Sequence, residues 1–153
     1  MSQFRRAIAQ AMGRNEIEGS RLSEPMTAQA VVFKCPICST PLTRPLLPLS
    51  ADQKICLDDG KDAVPQGRFA TSSGDYWTTL EGCVLVNIAD VIGTKTHPDA
   101  SRLNGCCGLD GLDGPNLLCE NGHEVATAMT DCWMAHAVAL IKNVTQQRTP
   151  ITS

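Results

Sequence analysis

The apolar positions of this chain fall into short runs separated by turn-forming residues, which is typical of a mostly β protein. The clearest run lies at 84–88. The predicted strands lie at 28–34, 68–70, 76–80, 84–88, 124–129 and 136–141. The segment 41–49 follows the first strand and contains three prolines. Because proline cannot donate to a strand ladder, this segment should lie at a sheet edge or form a loop.

The same pattern divides the chain into three parts. Residues 1–27 predict an N-terminal helix or arm, because apolar residues recur every four positions in the first half of this segment. Residues 28–142 contain the predicted strands and all the cysteines, with a long insertion at 50–104. Residues 143–153 are polar and predict a flexible tail.

Composition narrows the class of protein. The chain has 153 residues, 42% of them hydrophobic and 4% aromatic, so it can bury a core built mainly from aliphatic side chains. Its formal net charge of -3 argues against a mainly electrostatic nucleic-acid binder. No apolar run is long enough for a membrane-spanning helix, and the N-terminus lacks the apolar segment of a secretory signal. We therefore expect a cytoplasmic protein whose eight cysteines are reduced thiols or metal ligands.

Two short motifs predict a metal site. Cys35-Pro36-Ile37-Cys38 follows the first predicted strand, and Cys119 and His123 are separated by three residues much later in the chain. Three thiolates and one imidazole are the ligands of a closed, tetrahedral, structural zinc site. The sequence therefore predicts Cys35, Cys38, Cys119 and His123 as zinc ligands. The predicted fold class is α+β, mostly β, with a zinc-ribbon-like core, the long insertion and an N-terminal helix.

Two adjacent cysteines, Cys106 and Cys107, leave alternatives open. Either of them could complete the zinc site in place of the histidine of the second motif. Either could instead join His97, Cys132 and His136 in a second metal site. Side chains of adjacent residues do not easily bind one tetrahedral ion together, so these residues could also be small thiols packed in the fold.

The segment 105–116 is rich in glycine and contains Asp110 and Asp113. The two carboxylates could form a cation loop or a catalytic pair, but their spacing does not match an EF-hand. We favour the interpretation that they accept backbone N–H groups and hold tight turns. Gly108 and Gly111 are then expected at positive φ, and the loop is expected to pack beside the zinc.

Several stretches of the chain resemble a family of small uncharacterised bacterial zinc-binding proteins. The shared features are the Cys-Pro-x-Cys motif followed by a Pro-Leu segment, a Gly-Cys-Cys-Gly-Leu-Asp-Gly-x-Asp-Gly-Pro-Asn loop at 105–116, and the segments 97–99, 124–127 and 131–133. This resemblance implies metal binding and no particular activity. The second motif, Cys119-x3-His123, is also similar to the zinc ribbon that precedes bacterial ribosomal-RNA guanine methyltransferases. Because no Gly-x-Gly-x-Gly cofactor loop is present, methyltransferase activity is not implied.

Three classes of function are compatible with the sequence. A protein-interaction module with a structural zinc fits best. Immunity proteins that block a toxin are an analogy for such a module, and the chain could be an immunity-type protein. A metal-dependent enzyme would need zinc held by Cys35, Cys38 and Cys119 with an open position, and Glu124 or Asp110 as the base. A nucleic-acid-binding zinc ribbon is the third class, which the acidic balance disfavours.

Overall fold

The computed structural model describes residues 29–150, and the fold is mostly β. The described strands are β1 (Ala30–Lys34), β2 (Leu47–Pro48), β3 (Arg68–Thr71), β4 (Val84–Val86), β5 (Thr94–Thr96), β6 (Leu117–Cys119), β7 (Glu124–Met129), β8 (Ala137–Leu140) and β9 (Thr145–Thr149). Short 3₁₀ helices span Thr78–Leu80, Ile88–Asp90 and Ala100–Arg102. The predicted N-terminal helix or arm, at 1–27, lies outside the described residues.

Seven strands form one sheet in the order β2-β3-β4-β8-β7-β6-β5, in which only the β2–β3 pair is parallel. The central strands β7 and β8 are buried along almost their whole length. Side chains alternate between the two faces of a strand. In β8, Val138 and Leu140 pack into one apolar cluster, and Ala137 and Ala139 pack into a second cluster. Both faces of the sheet are therefore covered at these strands, which explains why the runs at 124–129 and 136–141 are mostly apolar and do not alternate with polar residues.

Strand β1 packs against one of these faces. Phe33 of β1 is fully buried, and its ring meets Phe69 of β3 edge-on at a centroid distance of 5.1 Å. Cys35 and Cys119 belong to the same apolar cluster. The packing thus brings the end of β1 close to the end of β6, where the two predicted half-sites lie.

The prediction of a flexible tail at 143–153 is wrong for Thr145–Thr149. These residues form β9, which pairs antiparallel with β1 from Ala30 opposite Thr149 to Lys34 opposite Thr145. The side chains of β9 are almost all exposed, so its sequence shows no apolar alternation. The backbone of β1 offers a free edge, and main-chain hydrogen bonds to such an edge do not require apolar side chains.

Other predictions differ in their details. Residues 76–80 were predicted as a strand, but Thr78–Leu80 is a 3₁₀ helix. The predicted strand at 84–88 ends at Val86, because the Asn87 side chain accepts the Ala89 N–H and starts another 3₁₀ helix. Strand β5, which pairs antiparallel with β6, lies in a segment for which no strand was predicted.

The remaining strand predictions are confirmed to within two residues. The proline-containing segment 41–49 forms isolated bridges and the two-residue strand β2, which lies at an edge of the sheet as expected. No helix in the part of the chain that the structure describes has the length and apolar character needed to cross a bilayer.

Candidate metal centres

The fold brings together four potential ligands from the two half-sites. The Sγ atoms of Cys35, Cys38 and Cys119 and a ring nitrogen of His123 all lie within 4.8 Å of one another. His123 Nδ1 lies 3.3 Å from Cys119 Sγ and 3.7 Å from Cys35 Sγ. The Sγ atoms of Cys38 and Cys119 are 3.7 Å apart. The arrangement, called here the closed group, could hold a metal ion.

The first half-site is a tight turn at the end of β1. The Cys35 N–H donates to the Thr40 carbonyl, and the Ser39 N–H donates to the Cys35 carbonyl. Ser39 has a φ of 62°, which is unusual for a residue other than glycine. This turn folds the chain back so that Cys38 faces Cys35 across the proline-containing loop.

The second half-site is a similar turn, one residue shorter, between β6 and β7. The Gly122 N–H donates to the Cys119 carbonyl, and the Cys119 N–H donates to the His123 carbonyl. Gly122 has a φ of 88°, which glycine adopts without strain. The β6–β7 hairpin therefore aims the Cys119 thiol and the His123 ring in the same direction.

Burial and hydrogen bonding affect the thiols of the closed group in opposite ways. Cys35 and Cys119 are fully buried, and burial raises the pKa of Cys35. The Thr40 hydroxyl, 3.0 Å from Cys38 Sγ, and then the Asn121 side chain lower the pKa of Cys38 to about 5. A lowered pKa favours the thiolate, which is the form of cysteine that binds metal.

Cys106 and Cys107 do not approach the closed group. Their thiols lie instead with that of Cys132, and the three Sγ atoms are all within 4.8 Å of one another. We call this the open group, because all three residues are exposed. The Sγ atoms of the adjacent residues Cys106 and Cys107 are 3.9 Å apart.

One buried carboxylate organises the open group. Asp131 is fully buried, and it accepts the N–H groups of Cys106, Cys107 and Cys132 at 2.8–2.9 Å. The Trp133 indole N–H also donates to it, at 2.8 Å. These donors hold the pKa of Asp131 well below its usual range. Sequence reasoning missed this residue, although an aspartate at the start of a turn commonly accepts nearby backbone N–H groups.

The thiols of the open group also interact with one another. Hydrogen bonding with Cys132, and then with Cys106, raises the pKa of Cys107 to about 12. The raised pKa favours the neutral thiol of Cys107 over its thiolate.

The two histidines considered for a second metal site belong to neither group among residues 29–150. His97 accepts the Asp99 N–H at Nδ1, and its Nε2 lies 3.1 Å from Glu124 Oε1. The Arg102 guanidinium reaches the same carboxylate oxygen at 3.4 Å. His136 Nε2 lies 2.9 Å from the Asp131 carbonyl oxygen.

In the glycine-rich loop at 105–116, the expected roles hold for Asp110 and Gly111 but not for Asp113 and Gly108. Asp110 accepts the Leu112 N–H at 3.0 Å, whereas Asp113 accepts a side-chain N–H of Asn104. Gly111 has a positive φ of 71°. Gly108 does not, and its role is close approach, because an added Cβ would lie 2.4 Å from the Thr130 carbonyl oxygen.

No protein-family model, curated protein or solved structure matches this chain.

Proposed function

We propose that this chain is a small zinc-binding protein-interaction module. The closed group would hold a structural zinc in a zinc-ribbon-like pair of turns, and the partner would be another protein, as in the immunity-type analogy. The observation that carries the proposal is the convergence of four ligand atoms from two turns, with Cys35 and Cys119 fully buried.

The spacing of the ligand atoms supports zinc. In a tetrahedral site with bonds of about 2.3 Å to sulfur and about 2.0 Å to nitrogen, two sulfurs lie roughly 3.8 Å apart, and a sulfur and a nitrogen roughly 3.5 Å apart. The closed group has 3.7 Å between the Cys38 and Cys119 sulfurs. Its sulfur–nitrogen distances are 3.3 and 3.7 Å. These side chains could therefore bind zinc with little rearrangement.

A structural role follows from the number of ligands. Four protein ligands leave no open position for a water or a substrate. The bases considered for an enzyme are also otherwise engaged: Glu124 pairs with His97 and Arg102, and Asp110 accepts a backbone N–H. A catalytic zinc at the closed group has no comparable support.

An exposed apolar residue at the tip of the first turn supports a protein partner. Ile37 lies between two proposed zinc ligands, and 70% of its surface is accessible. A metal would make this turn rigid, so Ile37 would be presented at low cost in conformational entropy. The net charge of -3 disfavours a nucleic-acid partner.

Elemental analysis of protein purified without added metal tests the zinc. We expect one zinc per chain. A content below about half an equivalent, with no change in thermal stability on treatment with a chelator, would contradict the proposal.

The partner is tested in an affinity pull-down with three baits: wild type, the Ile37→Asp variant and a matched control, Ile88→Asp. Ile88 is also an exposed isoleucine, and it belongs to a 3₁₀ helix and not to the turn. We expect a specific protein to be retained by wild type and by the control, and to be lost from Ile37→Asp while the zinc content is unchanged. Retention of the same proteins by all three baits, or nuclease-sensitive retention, would argue against this surface.

A further inference from the structure

We propose that Cys106, Cys107 and Cys132 form a second metal site that binds one Cu(I) ion through three thiolates. The site is independent of the zinc proposed for the closed group. Nothing in the proposed interaction function requires it, and its chemistry differs.

The positions of the sulfurs suit a single three-coordinate ion. The three Sγ atoms lie within 4.8 Å of one another, and those of Cys106 and Cys107 are 3.9 Å apart. An ion in the plane of three sulfurs spaced by that distance would lie about 2.3 Å from each, which is the length of a metal–thiolate bond. Small side-chain rotations would bring the third sulfur to this spacing.

The backbone around the sulfurs is already in place. The buried Asp131 carboxylate holds the N–H groups of all three cysteines, although Cys132 is far from the other two in sequence. The Leu109 carbonyl accepts the N–H groups of both Thr130 and Asp131, which ties the glycine-rich loop to the same turn. A site built in this way needs little ordering when the ion enters.

The ligand set selects the class of ion. Among residues 29–150, no histidine, carboxylate or further cysteine joins the three thiols as a fourth ligand. The Asp131 carboxylate already accepts hydrogen bonds from N–H donors. Structural zinc takes four protein ligands, and iron–sulfur clusters are usually held by four cysteines. Thiolates are soft ligands that select Cu(I), zinc and iron–sulfur clusters, and of these only Cu(I) does not call for a fourth protein ligand. Three thiolates on an exposed loop therefore fit Cu(I) best.

Exposure gives the proposed site a further property. All three cysteines are exposed, so an ion could be delivered to them or removed without unfolding the protein. The closed group, with two fully buried sulfurs, does not offer this access.

The test is an anaerobic titration of the zinc-loaded, fully reduced protein with Cu(I) in competition with a chromogenic Cu(I) chelator. The variants are Cys106→Ser, Cys107→Ser, Cys132→Ser and the triple variant, with Cys56→Ser as the matched control. Ultraviolet thiolate-to-copper absorption and zinc content are measured in the same samples. Zinc retention shows that each variant is folded around the closed group.

We expect wild type and Cys56→Ser to bind one Cu(I) per chain without losing zinc. Each single variant in the open group should bind Cu(I) at least about tenfold more weakly, and the triple variant should bind none in competition. Three results would overturn the proposal: unchanged Cu(I) affinity in the triple variant, release of zinc in proportion to added Cu(I), or tight binding of a second zinc but no Cu(I) by the open group.

Discussion

The two cysteine groups of this protein differ in what brings their ligands together. In the closed group, Cys35 and His123 are 88 positions apart, and they meet because β1 packs against a face of the sheet that contains β6 and β7. In the open group, the buried Asp131 carboxylate accepts backbone N–H groups from the glycine-rich loop and from its own turn, and these hydrogen bonds hold the two segments together.

This difference indicates what a metal would do in each place. An ion in the closed group would cross-link two hairpins that are distant in sequence, so its binding energy would contribute directly to folding. An ion in the open group would occupy a site that the protein has already assembled. Its removal should change binding and leave the fold nearly unaffected.

The sharpest test of this comparison is the loss of a ligand from the closed group. We expect Cys119→Ser to lower the free energy of unfolding by about 4 kcal/mol or more, because the loss of a metal site is one of the few changes that destabilise a protein this strongly. Cys35→Ser should behave alike, because both sulfurs are fully buried. Thermal melts with and without a chelator measure the effect, with Cys56→Ser as the control. Equal melting temperatures for the three variants would show that no metal joins the hairpins.

The second test removes the centre of the open group. Asp131→Asn would turn an amide NH₂ toward N–H groups that now have a carboxylate acceptor, leaving at least one of them unsatisfied. We expect a lower melting temperature than wild type, but a smaller loss than for Cys119→Ser, with zinc retained. Cu(I) affinity should fall by about tenfold or more. Undiminished Cu(I) binding in this variant would mean that Asp131 does not position the thiols.

The glycine-rich loop offers a third test. In Gly108→Ala the new Cβ would meet the Thr130 carbonyl oxygen at 2.4 Å, and in Gly111→Ala it would meet the Met129 side chain at a φ of 71°. Each should cost about 1–3 kcal/mol in chemical denaturation. Gly60→Ala is the matched control, because Gly60 has a φ of 73° but no atom within 4 Å of an added Cβ. If all three variants lost equal stability, close packing of this loop would not be the cause.

The smallest effect is expected at the exposed thiols. Cys132→Ser should change the free energy of unfolding by less than about 0.5 kcal/mol, because the Cys132 N–H still donates to Asp131 and only an exposed sulfur is replaced. Denaturation curves of the zinc-loaded protein measure this. A loss comparable to that of Cys119→Ser would show that the open group is also a structural cross-link.

Much of the local structure followed from the sequence because it depends on near neighbours. Cys35 and Cys38 lie in one turn, and Cys119 and His123 in another, so their spacing predicts two half-sites directly. The apolar stretches of β7 and β8 predicted strands, because a strand that is covered on both faces needs apolar residues throughout.

Only the tertiary structure decided how distant segments are paired. The polar strand β9 forms because β1 offers it a hydrogen-bonding edge, and its own side chains carry no signal of that partner. Asp131 likewise shows its role only when the chain reversal brings Cys106 and Cys107 to it. The sequence by itself determined the ligand types and the turns that present them. Which thiols share a site depended on packing between residues far apart in the chain, which spacing alone does not encode.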